Sequence, residues 1–317
     1  MSSQRSAYPR SIELGQPIGN IYYGTCGWTD RMLINAGAFY PKEVRTAADR
    51  LAFYASQFPI VEVDSTYYAL PSERNAQLWV ARTPPAFLFN IKAFGLFTHH
   101  PVEVKRLPSA IKALLPASIA EEKSRVYLRD VPEELRTLAW EMQMQALAPL
   151  VAAGKLGCML FQFPPWFTAR RGHVAYLKRL RERSDWPIAV EFRGGGWMTE
   201  NYRAQTLSLL EELGFAYVVV DEPQGFPSST PPVVASTSPL AVVRFHGQNA
   251  ETYGKPNMSV AERFRYLYTE DELKSWAAPI RNLAEHAEQV HVLMNNCYGD
   301  YGVRNARQLA ELLAGQP

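Results

Sequence analysis

The sequence predicts a single-domain α/β protein, a closed (β/α)8 TIM barrel. Three observations predict it: the length, a strand-then-helix repeat that recurs about eight times, and the lack of any break in composition along the repeat. A chain of 317 residues suits a barrel of roughly 250 residues enlarged by insertions. Hydrophobic residues make up 47% and charged residues 20%, a balance that buries a large core and carries no bias toward disorder.

The strands are short apolar runs rich in β-branched and aromatic residues: 21–28, 59–66, 87–93, 156–164, 187–193, 215–221, 241–247 and 290–296. Helical patterns fill most of the intervals, at 46–58, 72–82, 132–153, 172–183, 199–213, 270–288 and 303–313. Ser72 is placed to cap one helix, Pro132 to begin another, and Gly154 and Gly214 to close two more. Residues 1–20 read as an N-terminal extension and 21–317 as the barrel domain. Two connections depart from the repeat. Residues 100–131, punctuated by Pro101, Pro108 and Pro116, predict a partly helical excursion after strand 3, a candidate lid. Residues 222–239, dense in Pro, Ser and Thr, predict an irregular, mobile connection between strands 6 and 7. An open doubly wound sheet is the rival architecture, but no G-x-G-x-x-G follows the first strand.

Charge and cysteine content narrow the setting. Thirty-three Lys and Arg against 31 Asp and Glu leave a net charge of +2, too little to draw in nucleic acid nonspecifically. The densest basic run, Arg170 to Arg183, carries Val174, Leu177 and Leu180 at helical spacing and reads as a solvated helix face. Cys26, Cys158 and Cys297 are the three cysteines; with no C-x-x-C pair they are expected as free thiols. Barrel closure should bring Cys26 and Cys297 together. No apolar leader core and no run of ~18 uncharged apolar residues is found, so a cytoplasmic protein without membrane contact is expected.

In a barrel, alternate residues point inward and functional groups gather at the C-terminal strand ends. Polar residues interrupting apolar strands there are therefore the informative ones. Glu62, Lys92, Glu191, Asp221 and His246 are the candidate catalytic groups. Trp28, Asp64, Tyr67, His99, Gln162, Arg193, Trp197, Arg244, Asn295 and Asn296 are the candidate ligand-binding groups. The carboxylates suit general acid–base work if neighbours hold their pKa values apart. Lys92, Arg193 and Arg244 suit a phosphate or carboxylate on a ligand. The plainer alternatives are a salt-bridge plug in which each cation neutralises a carboxylate, and aromatic rings that merely pack under loops. No cofactor is expected; a divalent metal on Glu62, Glu191, Asp221 and His246 stays open as an alternative.

These same segments resemble the YecE-like proteins, the domain of unknown function 72 family. The resemblance runs through Y-G-T-C-G-W (23–28), V-E-V-D-S-T-Y-Y (61–68), F-N-I-K-A (89–93), L-F-Q-F-P-P (160–165), V-E-F-R (190–193), V-R-F-H-G (243–247), and M-N-N (294–296) with Y-G-V-R-N-A (301–306). It implies the barrel and leaves the activity open. Cys26 stands where serine is expected, and Gly194 to Gly196 replace a bulkier turn. The expected function is an enzyme acting on a small anionic or phosphorylated ligand at the barrel mouth, such as a phosphoester hydrolase. A nucleic-acid-processing or nucleic-acid-binding barrel and a noncatalytic binding protein are the alternatives.

Overall fold

The computed structural model describes residues 12–194, 196–255 and 258–315. Residues 1–11 of the expected extension and Gly195 of the glycine run lie outside the described residues. Eight parallel strands form one closed barrel: β1 (Ile21–Cys26), β2 (Ile60–Val63), β3 (Leu88–Lys92), β4 (Leu156–Gln162), β5 (Ile188–Glu191), β6 (Ala216–Asp221), β7 (Leu240–Phe245) and β8 (Gln289–Met294). The ring shuts where Ile21 to Thr25 of β1 pair with Val290 to Met294 of β8. Among the described residues no helix is long and apolar enough to cross a membrane.

Helix boundaries follow local chemistry. Ser72 accepts from the Asn75 amide at 3.2 Å and starts Glu73–Ala81. Thr46 with Asp49 and Thr269 with Glu272 form reciprocal capping boxes ahead of Ala47–Ala55 and Glu270–His286. Pro132 precedes Glu133–Ala152, where its missing N–H costs little. Gly154 and Gly214 adopt left-handed backbone, with φ of 65° and 62°, just past helix ends.

The excursion after β3 contains a two-stranded antiparallel ladder, Val102–Glu103 against Arg125–Val126, and short helices at Ser109–Leu114 and Ala117–Ala120. Its buried Ile111, Leu115, Val126 and Val131 belong to the main hydrophobic core, and the Ser109–Leu114 helix packs against Glu133–Ala152. It is thus docked along the flank of the barrel. The connection from Glu222 to Pro239 holds no helix and is tied to the barrel by hydrogen bonds. Thr230 donates its amide to Glu222 at 2.8 Å and its hydroxyl to the Phe192 carbonyl at 2.9 Å, and the Thr237 hydroxyl accepts from the Tyr217 amide at 2.8 Å. Ser229, Thr230 and Thr237 are buried. The sequence's Ser and Thr content signals these hydrogen bonds as much as it signals mobility.

Two apolar layers divide by strand parity. Even-numbered residues of β1 and β2, such as Cys26 and Ile60, fill the barrel interior together with Cys158, Leu160, Ala189, Val218, Val220, Val242 and Leu293. Residues of the opposite parity, such as Tyr23, Val61, Phe89, Phe161 and Val219, face the helices in a larger core. Both faces are apolar, as parallel barrel strands require.

Gly24 shows how tight this packing is. A Cβ there would fall inside contact distance of the Ile60 carbonyl and 2.9 Å from the Tyr54 hydroxyl oxygen, which itself accepts from the Thr25 amide at 2.7 Å. Gly24→Ala is expected to destabilise the fold by about 2–4 kcal/mol through strand displacement, read as a lower urea midpoint with unchanged slope.

Candidate functional site

The C-terminal end of the barrel is organised around Arg244, which β7 delivers into the interior. Its guanidinium forks onto Glu62 of β2, with Nε to Oε2 at 2.9 Å and Nη2 to Oε1, and it also pairs through Nη1 with Glu191 of β5. All three side chains are fully buried. Glu191 is further engaged by Gln162 Nε2 at 2.6 Å and Arg193 Nε at 2.8 Å, and its Oε1 lies 3.1 Å from His246 Nε2. Arg193 continues the chain to the buried Glu222. His246 lies 2.9 Å from Arg193 Nη2 and, through Nδ1, 2.9 Å from the Asn295 amide.

Electrostatics divide these carboxylates. Burial, reinforced by nearby Asp64, pushes Glu62 up to about 7 despite the Arg244 fork. Burial works against the charge on Glu191 as well, but the Arg244 and Arg193 charges, with a hydrogen bond from His246, outweigh it and hold that carboxyl well below its usual range. Burial and the Arg193 charge push His246 down to about 3, so its imidazole is neutral.

Toward solvent, Lys92 Nζ lies 3.1 Å from Asp64 Oδ1 and 5.2 Å from the centroid of the Tyr67 ring. Burial opposes the Asp64 charge, but Lys92 and Arg244 prevail and lower its pKa. Cys297 Sγ lies 3.7 Å from the Cys26 carbonyl, so closure joins residues 271 apart in sequence. Cys26 Sγ, a Glu62 oxygen and an Asp64 oxygen lie within 4.8 Å of one another, a spacing that suits a divalent ion. Both Glu62 oxygens are already committed to Arg244, and burial raises the Cys26 thiol well above its usual range, so the trio is poorly prepared to bind one.

Of the sequence-predicted residues, Glu62, Asp64, Lys92, Gln162, Glu191, Arg193, Arg244, His246 and Asn295 form this connected set, with Tyr67 packed beside Lys92. Five are elsewhere. Asp221 faces the helices, where it accepts from Tyr268 Oη and from Gln248 Nε2 at 2.8 Å, so the metal set containing it does not assemble. Asn296 also faces outward and donates to the Tyr266 carbonyl and to Asn305 Oδ1. Trp28 packs edge-on to Trp79 at 6.0 Å. Trp197 stacks on Phe192 at 4.5 Å and donates to the Phe167 carbonyl. His99 adopts left-handed backbone, φ 61°, and lies against Phe167 and Tyr176.

The buried acid that sequence reading missed is Glu222, one residue beyond Asp221. Its parity is that of Val218 and Val220, but strand 6 is apolar on both faces, so the alternation that would have selected it is silent. Also missed was a pair deeper in the barrel, where Asn90 Oδ1 and His291 Nδ1 meet at 3.0 Å. Asn90 and Lys92 share a parity; that was the available signal.

Fold and site together define a parallel (β/α)8 barrel with a buried Arg–Glu network under its C-terminal mouth. Residues 22–317 match the family described as protein of unknown function DUF72, and the chain belongs to that family. It is 32% identical over 298 residues to the UPF0759 protein YunF of Bacillus subtilis, covering 92% of this chain and 94% of that one. It is also similar to a DUF72 family crystal structure from Thermotoga maritima, with 32% identity, TM-score 0.73, and 93% and 99% of the two chains covered. A second, from Enterococcus faecalis, has 28% identity, TM-score 0.73, and 94% and 96% coverage.

The raised pKa of Glu62 has a consequence for stability. Ionising this carboxyl costs more in the folded than in the unfolded chain, so its contribution is intact below the usual value of 4.5 and is lost as pH rises through about 7. Glu62→Gln, which cannot ionise, is expected to flatten the fall in unfolding free energy between those pH values, measured by denaturant titration across the range. An unchanged slope would assign the titration to another group.

Proposed function

We propose that this protein is an enzyme whose reaction centre is the barrel mouth, acting by acid–base chemistry on a small ligand that bears an anionic group. One observation supports the reading above others: ionic groups stay within reach of solvent over a dry ionic floor. Lys92, Asp64 and Arg193 keep 14%, 33% and 16% of their side-chain surface exposed, while Glu62, Glu191, Glu222 and Arg244 keep none. A purely structural plug gains nothing from a wet upper layer.

Adjacent carboxylates with separated pKa values are the arrangement that assigns acid and base roles. Asp64 is the half-buried group held ionised and the candidate base; Glu62 behind it takes up a proton more readily. Four carboxylates, Glu62, Asp64, Glu191 and Glu222, face three cations, Lys92, Arg193 and Arg244. An incoming anion therefore competes for a cation that already has a partner. The most accessible exchange is at Lys92, where a ligand phosphate displaces Asp64 and leaves its carboxylate free to take a proton from a water whose oxygen bonds to phosphorus as the ester P–O bond breaks; the leaving oxygen takes its proton from solvent at the open mouth. Hydrolysis of a small phosphoester is the reaction class this supports.

The test is turnover of p-nitrophenyl phosphate and a panel of small phosphoesters, with inorganic phosphate as a thermal-shift probe. Asp64→Asn is expected to lower kcat by about 10²-fold or more, and Lys92→Met to abolish the phosphate-induced rise in Tm, with both variants folded. No turnover across the panel and no shift with phosphate would favour the noncatalytic reading of the barrel instead.

A further inference from the structure

We propose a second binding site, on the flank of the barrel beside Arg171–Glu182, that takes a single nucleoside phosphate. It is separate from the mouth and does not rest on the reading given for it.

The basic run Arg170 to Arg183 does not form one solvated face. Lys178 turns to Glu212, and Arg181 to the Trp186 carbonyl and the Phe215 ring. Arg170, Arg179 and Arg183 turn the other way, into a cavity of about 630 Å³ shared with Arg129 and Arg136 from the facing segments. Five arginines from three parts of the chain thus line one space. The lining contains a single carboxylate, Glu133, and it is paired with Arg136 and Arg183. Arg129, Arg170 and Arg179 have no carboxylate at ion-pair distance among the described residues. Gathering uncompensated guanidinium groups costs repulsion that a phosphate or pyrophosphate group relieves.

The rest of the lining points to a planar group on the same ligand. Trp166 is 52% exposed at the lip, its indole held by one long hydrogen bond of 3.4 Å from Nε1 to the His99 carbonyl. An exposed indole face beside guanidinium groups is a platform for a base. His99 lines the same cavity, and its Nε2 is buried without a hydrogen-bond partner, a polar atom left for a ligand hydroxyl or base nitrogen. Size selects the ligand class: the cavity falls in the range of small-molecule pockets, roughly 300–1,000 Å³, and the chain's net charge of +2 is low for a protein that tracks a nucleic-acid strand. The mouth offers no comparable excess, because each of its cations already faces a carboxylate.

Isothermal titration of the full chain with ADP, pyrophosphate, adenosine and a dT12 oligonucleotide tests this. ADP is expected to bind more tightly than pyrophosphate or adenosine, and more weakly as NaCl is raised. Arg129→Ala with Arg179→Ala, both exposed positions, is expected to weaken ADP at least tenfold without lowering Tm. Trp166→Ala should weaken ADP and leave pyrophosphate unchanged, and Lys92→Met, which removes phosphate binding at the mouth, should leave in place the component of ADP binding that the double arginine variant removes. Absence of heat with ADP and pyrophosphate at millimolar concentration would overturn the proposal, as would ADP binding untouched by the double arginine variant. Loss of ADP binding in Lys92→Met would move the site to the mouth. Binding of dT12 a hundredfold tighter than ADP would replace the nucleotide by a strand.

Discussion

Arg244 is the constraint on which the upper half of the barrel depends. It is a strut across the interior, tying β7 to β2 on one side and β5 on the other, with all of its carboxylate partners out of water. Desolvating such ions costs several kcal/mol each, and that cost is recovered only if pairing is complete and geometry is good. Completeness is what the surrounding residues supply. Gln162 and Arg193 satisfy the remaining valence of Glu191, Glu222 takes the far end of Arg193, and the Thr230 amide caps Glu222. The irregular connection after β6 is therefore part of the electrostatic structure of the mouth, which explains why it is pinned.

The architecture was legible because a (β/α)8 repeat writes itself many times over. Eight apolar runs, capped helices such as those after Ser72 and Pro132, and the neighbouring placement of Cys26 and Cys297 all follow from local periodicity and ring closure. Nine members of the polar mouth were legible as charges or amides breaking apolar runs. Asp221 and Asn296 failed for one physical reason: one ends and the other closely follows a strand buried on both faces, so the neighbouring residues do not reveal which way a polar side chain turns. Trp28 and Trp197 failed for another. An aromatic ring near a strand end packs against helices as readily as it opens to a ligand, and only the stacking partners, Trp79 and Phe192, decide between them.

The two cationic regions of the molecule differ in kind. At the mouth, positive charge is matched by carboxylates drawn from strands on all sides, so the field there is nearly neutral and reactivity rests on where protons sit. On the flank, arginines of three segments converge with one acid among them. Sequence composition sees neither: a net charge of +2 is the sum of a balanced interior and a locally unbalanced exterior. The basic run was visible in the sequence, but its division into two helix faces depends on what the facing helix and the excursion bring.

The span of the Arg244 pairs also constrains how the chain can be made. Glu62 and Arg244 are 182 residues apart, whereas Glu191 and Arg244 are separated by 53. During synthesis β2 leaves the ribosome long before its counter-ion exists, so a carboxylate destined for a dry interior must wait in water or carry a proton. A half-ring of strands cannot bury Glu62 in its ionised form, so before β7 arrives the N-terminal half can close only over the protonated acid. The late cation thus sets the charge state in which Glu62 can be enclosed: as a neutral acid early, and as half of an ion pair only once nearly the whole chain is present.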